Sequence, residues 1–301
     1  MGFNIYFVNS FPSEGSLENL FQLFTDLRWN IDNFRVVFGK TAEFLGLKED
    51  CVVISSDFNE VSLFFNEGFV NVYLPISTKN WKDVEELLKK RVKVFKTYLK
   101  PSEEIEIPKG VRYLRNEKEL SLVDLDEKLT GGLHLDFYTQ NGEPLELVVG
   151  NLLKEKKLTV STAESCTGGL LAATLVNVSG SSEYFKGSIV AYSNEIKEKV
   201  LGVQKETLEK FGAVSEETAK EMALGVKKLL KTDIGISTTG IAGPTGGTPQ
   251  KPVGLTYMAV AFEDQVKVFK EVFPYDRNQN RISAVHYLLF ELYKLLKGLS
   301  K

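Results

Sequence analysis

A serine at a predicted turn is the first candidate for chemistry in this sequence. Ser165 stands within residues 163–169, which read Ala-Glu-Ser-Cys-Thr-Gly-Gly, between a predicted strand and a predicted helix. Free backbone N–H groups and the helix dipole at such a turn favour a negative charge that develops on an oxygen. Two interpretations stay open, a nucleophilic serine or a helix cap followed by glycines that allow close packing.

A serine hydroxyl is a poor nucleophile unless a base takes its proton. Residues 191–197 read Ala-Tyr-Ser-Asn-Glu-Ile-Lys, and Tyr192 and Lys197 flank the end of a predicted strand and the start of a helix. A lysine can act as the base if burial lowers its pKa. The alternative is a lysine on the solvent face of a helix.

A glycine- and proline-rich loop forms the third candidate. Residues 238–254 hold five glycines and three prolines between two predicted strands. Glycines let the backbone approach a ligand and prolines stiffen the path, so the loop could cradle a phosphate or an oxyanion. It lacks the Gly-Lys-Ser/Thr ending of a Walker loop, and a long hairpin connection is the alternative.

Two arginines begin the last predicted helix. Arg277, after Tyr275-Asp276, is suited to bind a carboxylate or phosphate. Arg281 lies one turn later and competes for this role. A solvent-facing arginine is the alternative for both.

Few other residues could carry the chemistry. Cys166 is a rival nucleophile, but no neighbouring histidine is evident to activate it. His134 and His286 are the only histidines, which argues against a Ser-His-Asp triad and excludes a multi-histidine metal site. Cys51 and Cys166 are the only cysteines, so neither a disulfide framework nor a cysteine metal cluster is expected.

Composition predicts an ordinary globular protein. The chain has 301 residues, 43% hydrophobic and 26% charged, with a net charge of −3, which favours about two domains and gives no support for a broadly basic nucleic-acid surface. No signal peptide and no run of about 20 apolar residues is evident. We therefore expect a cytoplasmic protein that contacts neither membrane nor nucleic acid.

The first half of the sequence alternates strand and helix patterns, which predicts an open, mostly parallel sheet of the α/β class. A basic amphipathic helix is predicted over residues 80–99, and an acidic linker lies between Pro101 and Pro108. The other predicted elements are strands at 3–8, 34–38 and 50–55, a helix at 16–29 and a helix-like stretch at 40–46.

The second half has the clearer pattern. A small α/β segment is predicted over 110–140, and a helix begins near Pro144. The predicted strands are 158–163, 188–193, 234–238 and an antiparallel pair at 254–262 and 266–273. The predicted helices are 168–176, 215–231 with Ser215 as N-cap, and 277–296.

Taken together, these segments resemble the C-terminal domain of the CinA family (competence/damage-inducible protein A). The resemblance runs from about residue 142 to residue 296, in order. It is carried by six stretches: 162–169, 180–182, 192–197, 212–215, 240–247 and 251–254.

The resemblance implies a Ser/Lys amidohydrolase that acts on the carboxamide of nicotinamide mononucleotide without a cofactor or metal. It implies catalytic roles for Ser165 as nucleophile, Lys197 as base, Tyr192 as assisting group and Thr239. It implies a substrate-binding set formed by Cys166, Thr167, Gly168, Gly169, Asn194, Gly240, Ala242, Gly243 and Arg277. The family's Gly-Asp pair before the arginine reads Tyr275-Asp276 here, and the family tendency implies a homo-oligomer such as a dimer.

The resemblance also implies three domains. Residues 1–95 are similar to a degenerate molybdopterin-binding-like domain, 96–140 to a small KH-like α/β domain, and 141–301 to the deamidase domain. The usual Gly-Asp-Glu after the first strand is replaced by Val8-Asn9-Ser10, and no Gly-Gly-Leu-Gly-Pro-Thr segment follows Asp57. We therefore expect no divalent metal and no ADP-ribose pyrophosphatase activity. The alternatives are a non-catalytic nucleotide-binding regulator and a metal-dependent pyrophosphatase of this kind.

Overall fold

The computed structural model describes residues 2–8, 14–27, 29–38, 41–45, 47–58, 61–66, 69–75, 77–107, 111–125 and 135–299. The chain divides into two compact units. The first comprises Met1–Lys96, Ile105–Leu114 and Ser121–Glu143, and the second comprises Thr97–Glu104, Arg115–Leu120 and Pro144–Lys301. Mixed strands and helices confirm the α/β class.

A five-stranded sheet forms the frame of the first unit, with the order β2-β1-β3-β5-β4. Only β4 runs antiparallel to its neighbour, which agrees with the predicted, mostly parallel sheet. Its elements are β1 Gly2–Val8, α1 Glu14–Leu27, β2 Asn30–Val37, β3 Cys51–Ser55, β4 Ser62–Asn66, β5 Phe69–Pro75 and α2 Trp81–Arg91.

Alternate residues of β1 are buried on opposite faces of this sheet. Phe3, Ile5 and Phe7 join the larger apolar core, which includes residues of α1 and α2. Tyr6 and Val8 join a smaller cluster. Burial on both faces explains why these parallel strands read as nearly continuous apolar runs.

The predicted helix over residues 80–99 was wrong in its second half. Helix α2 ends at Arg91, and the chain continues as β6 Val92–Thr97. Val92 and Val94 are β-branched and alternate with lysines, a pattern that favours a strand once the helical stripe stops. The strand joins β7 Arg112–Arg115 and β8 Leu120–Leu125 in a three-stranded sheet. A 3-10 turn at Thr41–Phe44 replaces the predicted helix-like stretch near 40–46.

The second unit is built on a sheet with the order β10-β9-β11-β12-β13. Strands β9, β10 and β11 are parallel, whereas β12 and β13 continue antiparallel as predicted. The strands are β9 Val160–Glu164, β10 Phe185–Val190, β11 Ile234–Gly240, β12 Leu255–Phe262 and β13 Gln265–Val272. The helices are α3 Leu145–Lys156, α4 Leu170–Val176, α5 Asn194–Lys199, α6 Lys205–Phe211, α7 Glu216–Leu230 and α8 Arg277–Gly298.

The chain reverses its direction of travel around β9. It crosses from β9 through α4 to β10 on one side, and then returns through α5, α6 and α7 to β11 on the other. Right-handed crossovers in opposite directions place their helices on opposite faces, and the crevice at the carboxyl ends of such strands is the usual ligand site. Among the described residues, no helix is both long and apolar enough to cross a membrane.

Candidate active site

The hydroxyl of Ser165 meets the amine of Lys197 at the carboxyl end of β9. The distance from Lys197 Nζ to Ser165 Oγ is 3.1 Å. The turn that carries Ser165 is fixed to the neighbouring strand, because Ser165 N–H donates to the carbonyl oxygen of Thr238 at 2.9 Å. The two residues predicted as nucleophile and base therefore lie within hydrogen-bond distance, although 32 positions separate them in the chain.

Lys197 is almost entirely buried, with 1% of its surface exposed. Its Nζ also donates to the carbonyl oxygens of Ala191 at 2.8 Å and Tyr192 at 3.3 Å. Burial disfavours the charged ammonium and lowers the pKa of Lys197 below its ordinary value of 10.5. The amine is therefore poised to accept a proton, unlike a lysine on a solvated helix face.

Helix α5 brings Lys197 into this position. The hydroxyl of Ser193 caps the helix by accepting from the N–H of Ile196. Lys197 then follows within the first turn and points inward, whereas Lys199, two residues later, lies exposed and pairs with Glu195. The capping serine thus sets which lysine of α5 enters the interior.

A cavity of about 350 Å³ opens beside this pair. Predicted site residues at its wall are Ser165, Cys166, Tyr192, Lys197, Thr239, Gly240, Ala242, Gly243 and Arg277. The cavity is also lined by residues that were predicted only as parts of the stretches 212–215 and 240–247, not individually as site residues: Ala213, Val214, Ile241, Thr245 and Gly246. The catalytic set and the glycine-rich loop therefore face one volume.

Arg277 lines this cavity beside the glycine-rich loop. Its Nη1 donates to the carbonyl oxygen of Gly243 at 2.7 Å, and its Nη2 lies 3.4 Å from Tyr192 Oη. Arg281 instead donates to the carbonyl oxygen of Thr167 at 2.7 Å and is absent from the described lining. Of the two competing arginines, Arg277 is the one placed to meet a ligand.

Tyr192 and Thr239 both line the cavity, but Tyr192 is exposed whereas Thr239 is buried and hydrogen-bonded. The Tyr192 side chain is 64% exposed, and it is its main-chain oxygen, not its hydroxyl, that accepts from Lys197. The Thr239 hydroxyl donates to the carbonyl oxygen of Ala213 at 2.6 Å. This bond leaves the oxygen of Thr239 available to the cavity as an acceptor.

Four predicted substrate-binding residues lie outside the described lining. Thr167 is fully buried and Gly168 is exposed at the turn. Gly169, with φ +94°, begins α4, and Asn194 is exposed at the start of α5. Their roles in substrate binding stay predictions.

Most amides of the serine turn are already occupied. The N–H of Gly168 donates to the carbonyl oxygen of Ser165, and that of Leu170 donates to the carbonyl oxygen of Thr167. The N–H of Gly169 donates to the carboxylate of Glu164. The N–H groups of Cys166 and Thr167 have no acceptor within the described ranges. Of these two residues only Cys166 lines the cavity, whereas Thr167 is fully buried, so the Cys166 N–H is the donor of this turn that an oxyanion could reach.

The rival catalytic groups are poorly placed. Burial raises the pKa of the Cys166 thiol to about 12, so the thiol stays protonated near neutral pH. His286 is half-buried on α8 and does not line the cavity, and His134 falls outside the described residues. No group of three or more His, Cys, Asp or Glu side chains that could hold a metal occurs in the part of the chain that the structure describes.

Two residues of the site were missed from the sequence. Lys251 Nζ donates to the carbonyl oxygens of Phe211 and Val214, each at 2.7 Å, and so holds the segment that supplies Ala213 to the cavity. Glu164, directly before Ser165, is buried and contacts the start of α4. Glu164 could have been found from its position at the end of a strand just before a helix, where unpaired N–H groups attract a carboxylate.

Comparison with known proteins places this site in a family. The model of the CinA C-terminal domain matches residues 142–296. A CinA-like protein of Fusobacterium nucleatum subsp. nucleatum is 60% identical over 149 residues, which cover 50% of this chain and 35% of that protein. A CinA-like protein of Kosmotoga olearia is 51% identical over 177 residues, which cover 58% of this chain and 43% of that protein. The chain thus spans less than half of the length of the curated relatives it matches.

Solved structures give the same assignment for the second half. The crystal structure of the competence damage-inducible protein A (ComA) from Klebsiella pneumoniae subsp. pneumoniae has a TM-score of 0.51 and 35% identity, over 52% of this chain and 97% of that one. The likeness of residues 1–95 and 96–140 to particular domain types stays a prediction. The family match covers half of the chain, and the residues that carry it include the serine turn, the buried lysine and the glycine-rich loop, so the chain belongs to the CinA family.

Proposed function

We propose that the second unit hydrolyses the carboxamide of nicotinamide mononucleotide to nicotinate mononucleotide and ammonia. The observation that carries the proposal is the contact of 3.1 Å between Lys197 Nζ and Ser165 Oγ inside a buried site. Such a pair supplies a nucleophile together with its base and needs no histidine. The family resemblance supports the amide of a pyridine nucleotide as the bond that is broken.

Acylation begins when neutral Lys197 takes the proton of the Ser165 hydroxyl. Ser165 Oγ then attacks the carboxamide carbon, and the carbonyl oxygen becomes an oxyanion. The N–H of Cys166 follows the nucleophile directly and belongs to the cavity wall, so it is the turn donor available to this oxyanion. When the C–N bond breaks, the Lys197 ammonium returns its proton to the leaving nitrogen, and ammonia departs.

Deacylation repeats these steps with water. Lys197 takes a proton from a water molecule, whose oxygen attacks the acyl carbon and releases Ser165 as the leaving alkoxide. The alkoxide recovers the proton from Lys197, which regenerates the starting pair. The sum is one amide and one water converted to one carboxylic acid and one ammonia.

Recognition of the nucleotide is assigned to Arg277 and the glycine-rich loop. Arg277 presents a guanidinium suited to a phosphate. It contacts Gly243 of the loop, and glycines there let a ligand approach closely. Arg277 and Ser165 line one cavity, so the proposal assigns the phosphate to the first and the carboxamide to the second.

The test compares ammonia release from nicotinamide mononucleotide by the wild type and Ser165→Ala. We expect a loss of at least about 10³-fold, because Ser165 carries the hydroxyl of the described lining that lies within hydrogen-bond distance of Lys197. Ser182→Ala, at an exposed serine of the same unit, is the matched control and should keep full activity. Wild-type ammonia release by Ser165→Ala would refute the assignment.

For the first unit we propose an absence of ADP-ribose pyrophosphatase activity. The sequence lacks the acidic and glycine-rich motifs that would bind phosphate and metal after its first and third strands. The wild-type chain should release no AMP from ADP-ribose with Mg²⁺ or Mn²⁺. Robust turnover that a chelator abolishes would contradict this proposal.

A further inference from the structure

Glu164 has an unusual environment for a carboxylate. Its side chain is fully buried, and no ion pair in the described part of the chain includes it. Burying a carboxylate is costly unless hydrogen bonds replace its water. The contacts of Glu164 therefore identify what this part of the site is built to hold.

Three backbone N–H groups supply half of these bonds, and the hydroxyls of Thr162, Thr167 and Ser188 supply the rest. Glu164 Oε2 accepts from Gly169 at 2.9 Å and from Leu171 at 3.0 Å, and Oε1 accepts from Ala172 at 2.8 Å. These are unpaired donors at the start of α4, whose N-cap position is a glycine without a side chain to cap them. Glu164, which lies five residues before Gly169, therefore caps α4 with its carboxylate.

A chain of hydroxyls continues from the carboxylate to the neighbouring strand. Thr167 Oγ1 donates to Glu164 Oε2 at 2.7 Å and lies 2.6 Å from Thr238 Oγ1. Since Thr167 has a single hydroxyl proton, which goes to Glu164, Thr238 must be the donor in the second bond. Thr238 also accepts the N–H of Ser165 through its carbonyl oxygen. The turn 165–168 is thus closed by bonds at both of its ends.

We propose that Glu164 is the positioning residue that holds the turn so that Ser165 Oγ stays against Lys197 Nζ. Consecutive residues of an extended chain point to opposite sides, and here Glu164 faces α4 while Ser165 faces the cavity. The carboxylate touches neither Lys197 nor the cavity wall, so it acts through the backbone of the turn. It also accepts from the N–H groups at the start of α4 and not from the N–H of Cys166, which belongs to the cavity wall.

This inference rests on the proposed amidase reaction for its kinetic test. In Glu164→Gln one carboxylate oxygen becomes an NH₂ group, which cannot accept from the backbone N–H groups that face it. We expect kcat to fall about 10- to 100-fold because the nucleophile shifts. KM should stay within about twofold and the acid limb of the pH profile should not move, since Arg277, the loop and Lys197 keep their contacts. Glu183→Gln, at an exposed glutamate paired with Lys154, is the control.

A fluorophosphonate probe separates this inference from the choice of substrate. Ser165 Oγ forms a bond to phosphorus, fluoride leaves and Lys197 takes the hydroxyl proton, so labelling reports the nucleophile alone. Slower labelling of Glu164→Gln than of wild type and Glu183→Gln supports the inference even if nicotinamide mononucleotide is not the substrate. Equal labelling rates, an unchanged kcat, or a raised KM at unchanged kcat would each overturn it.

A second pair of variants applies if Glu164→Gln does not fold. Thr167→Val removes the hydroxyl that donates to Glu164, and Thr167→Ser restores it at the same place. Serine should recover most of the labelling rate that valine loses; equal rates in both variants would overturn the inference. If the wild type neither labels nor releases ammonia, crystal structures decide. A Ser165–Lys197 distance that stays at 3.1 Å in Thr167→Val refutes the role of Glu164, and a longer one supports it.

Discussion

Lys197 Nζ lies 3.1 Å from Ser165 Oγ but closer, at 2.8 Å, to the carbonyl oxygen of Ala191. The carbonyl fixes where the amine stands, and the hydroxyl is the partner whose proton it can take. Carbonyl oxygens only accept hydrogen bonds, so they orient the amine and carry no proton to exchange. Ser165 is therefore the donor within reach when Lys197 is neutral.

The activity should rise with pH through the lowered pKa of Lys197. Its ammonium form cannot act as a base, so kcat/KM is low in acid and levels off once the amine is neutral. The half-maximum should lie below pH 10.5, the ordinary value for lysine, and a pH–rate profile measures it.

Lys197→Arg should lose at least about 10³-fold in kcat/KM, because a guanidinium stays protonated. Lys199→Arg, on the exposed side of the same helix, is the matched control and should match the wild type. An acid limb at or above 10.5, or an active Lys197→Arg, would remove Lys197 from the mechanism.

Arg277 should matter for binding more than for chemistry. Removing its contact with a phosphate in Arg277→Met should raise KM for nicotinamide mononucleotide about 10- to 100-fold, since hydrogen bonds to charged groups contribute about 1.5–3 kcal/mol. The increase should vanish for nicotinamide riboside, which has no phosphate. A KM ratio between the two substrates that does not change in the variant would contradict the assignment.

Cys166 should be dispensable as a nucleophile. Its thiol has a pKa raised to about 12 by burial, and only 8% of the residue is exposed. Cys166→Ala should keep activity within about threefold of the wild type, because the substitution leaves the N–H group in place. Ellman's reagent should find no reactive thiol in the folded protein and two after unfolding, since burial raises the pKa of Cys51 to about 12 as well. Rapid modification of folded protein with loss of activity would argue against this role.

Gly254 should be indispensable to the stability of the second unit. It has φ +89°, and a Cβ there would stand 2.0 Å from the carbonyl oxygen of Phe273. Gly254→Ala should lower the free energy of unfolding by more than about 2 kcal/mol. Gly202 has φ +71° with open space around its Cβ position. Gly202→Ala therefore adds only the strain of a positive φ, without a steric clash, and should cost about 1 kcal/mol. Denaturant unfolding of both variants measures the difference; equal losses would show that the close approach to Phe273 contributes nothing.

The sequence predicted most elements of the second unit because their signals are local, although it placed β10 three residues late, at 188–193, and missed α6. Ser215 was expected to cap a helix to about residue 231, and α7 runs from Glu216 to Leu230 with that serine accepting from Thr218 N–H. The failure at residues 92–97 has a similar local cause, since the lysines of α2 continue into β6 and hide the change of period.

Distances within the site depend on tertiary structure and could not be predicted from local sequence patterns. Nothing local distinguished Arg277 from Arg281, because both are arginines at the start of one helix. Their different partners, Gly243 and Thr167, follow from how α8 lies against the loop and the serine turn. The position of Glu164 before a predicted helix was a local signal, but its individual hydrogen-bond partners, which lie up to eight residues ahead, follow from the folded turn.

The interior position of Lys197 couples ligand occupancy to acidity. Desolvation by burial, rather than a neighbouring cation, is the largest cause of its lowered pKa. The proton affinity of the amine therefore depends on how much water the cavity holds. A ligand that displaces the remaining water, and whose pyridinium ring adds a fixed positive charge, makes the ammonium still less favourable. Binding would then lower the pKa of Lys197 further, so the substrate itself would favour the neutral amine that serves as the base.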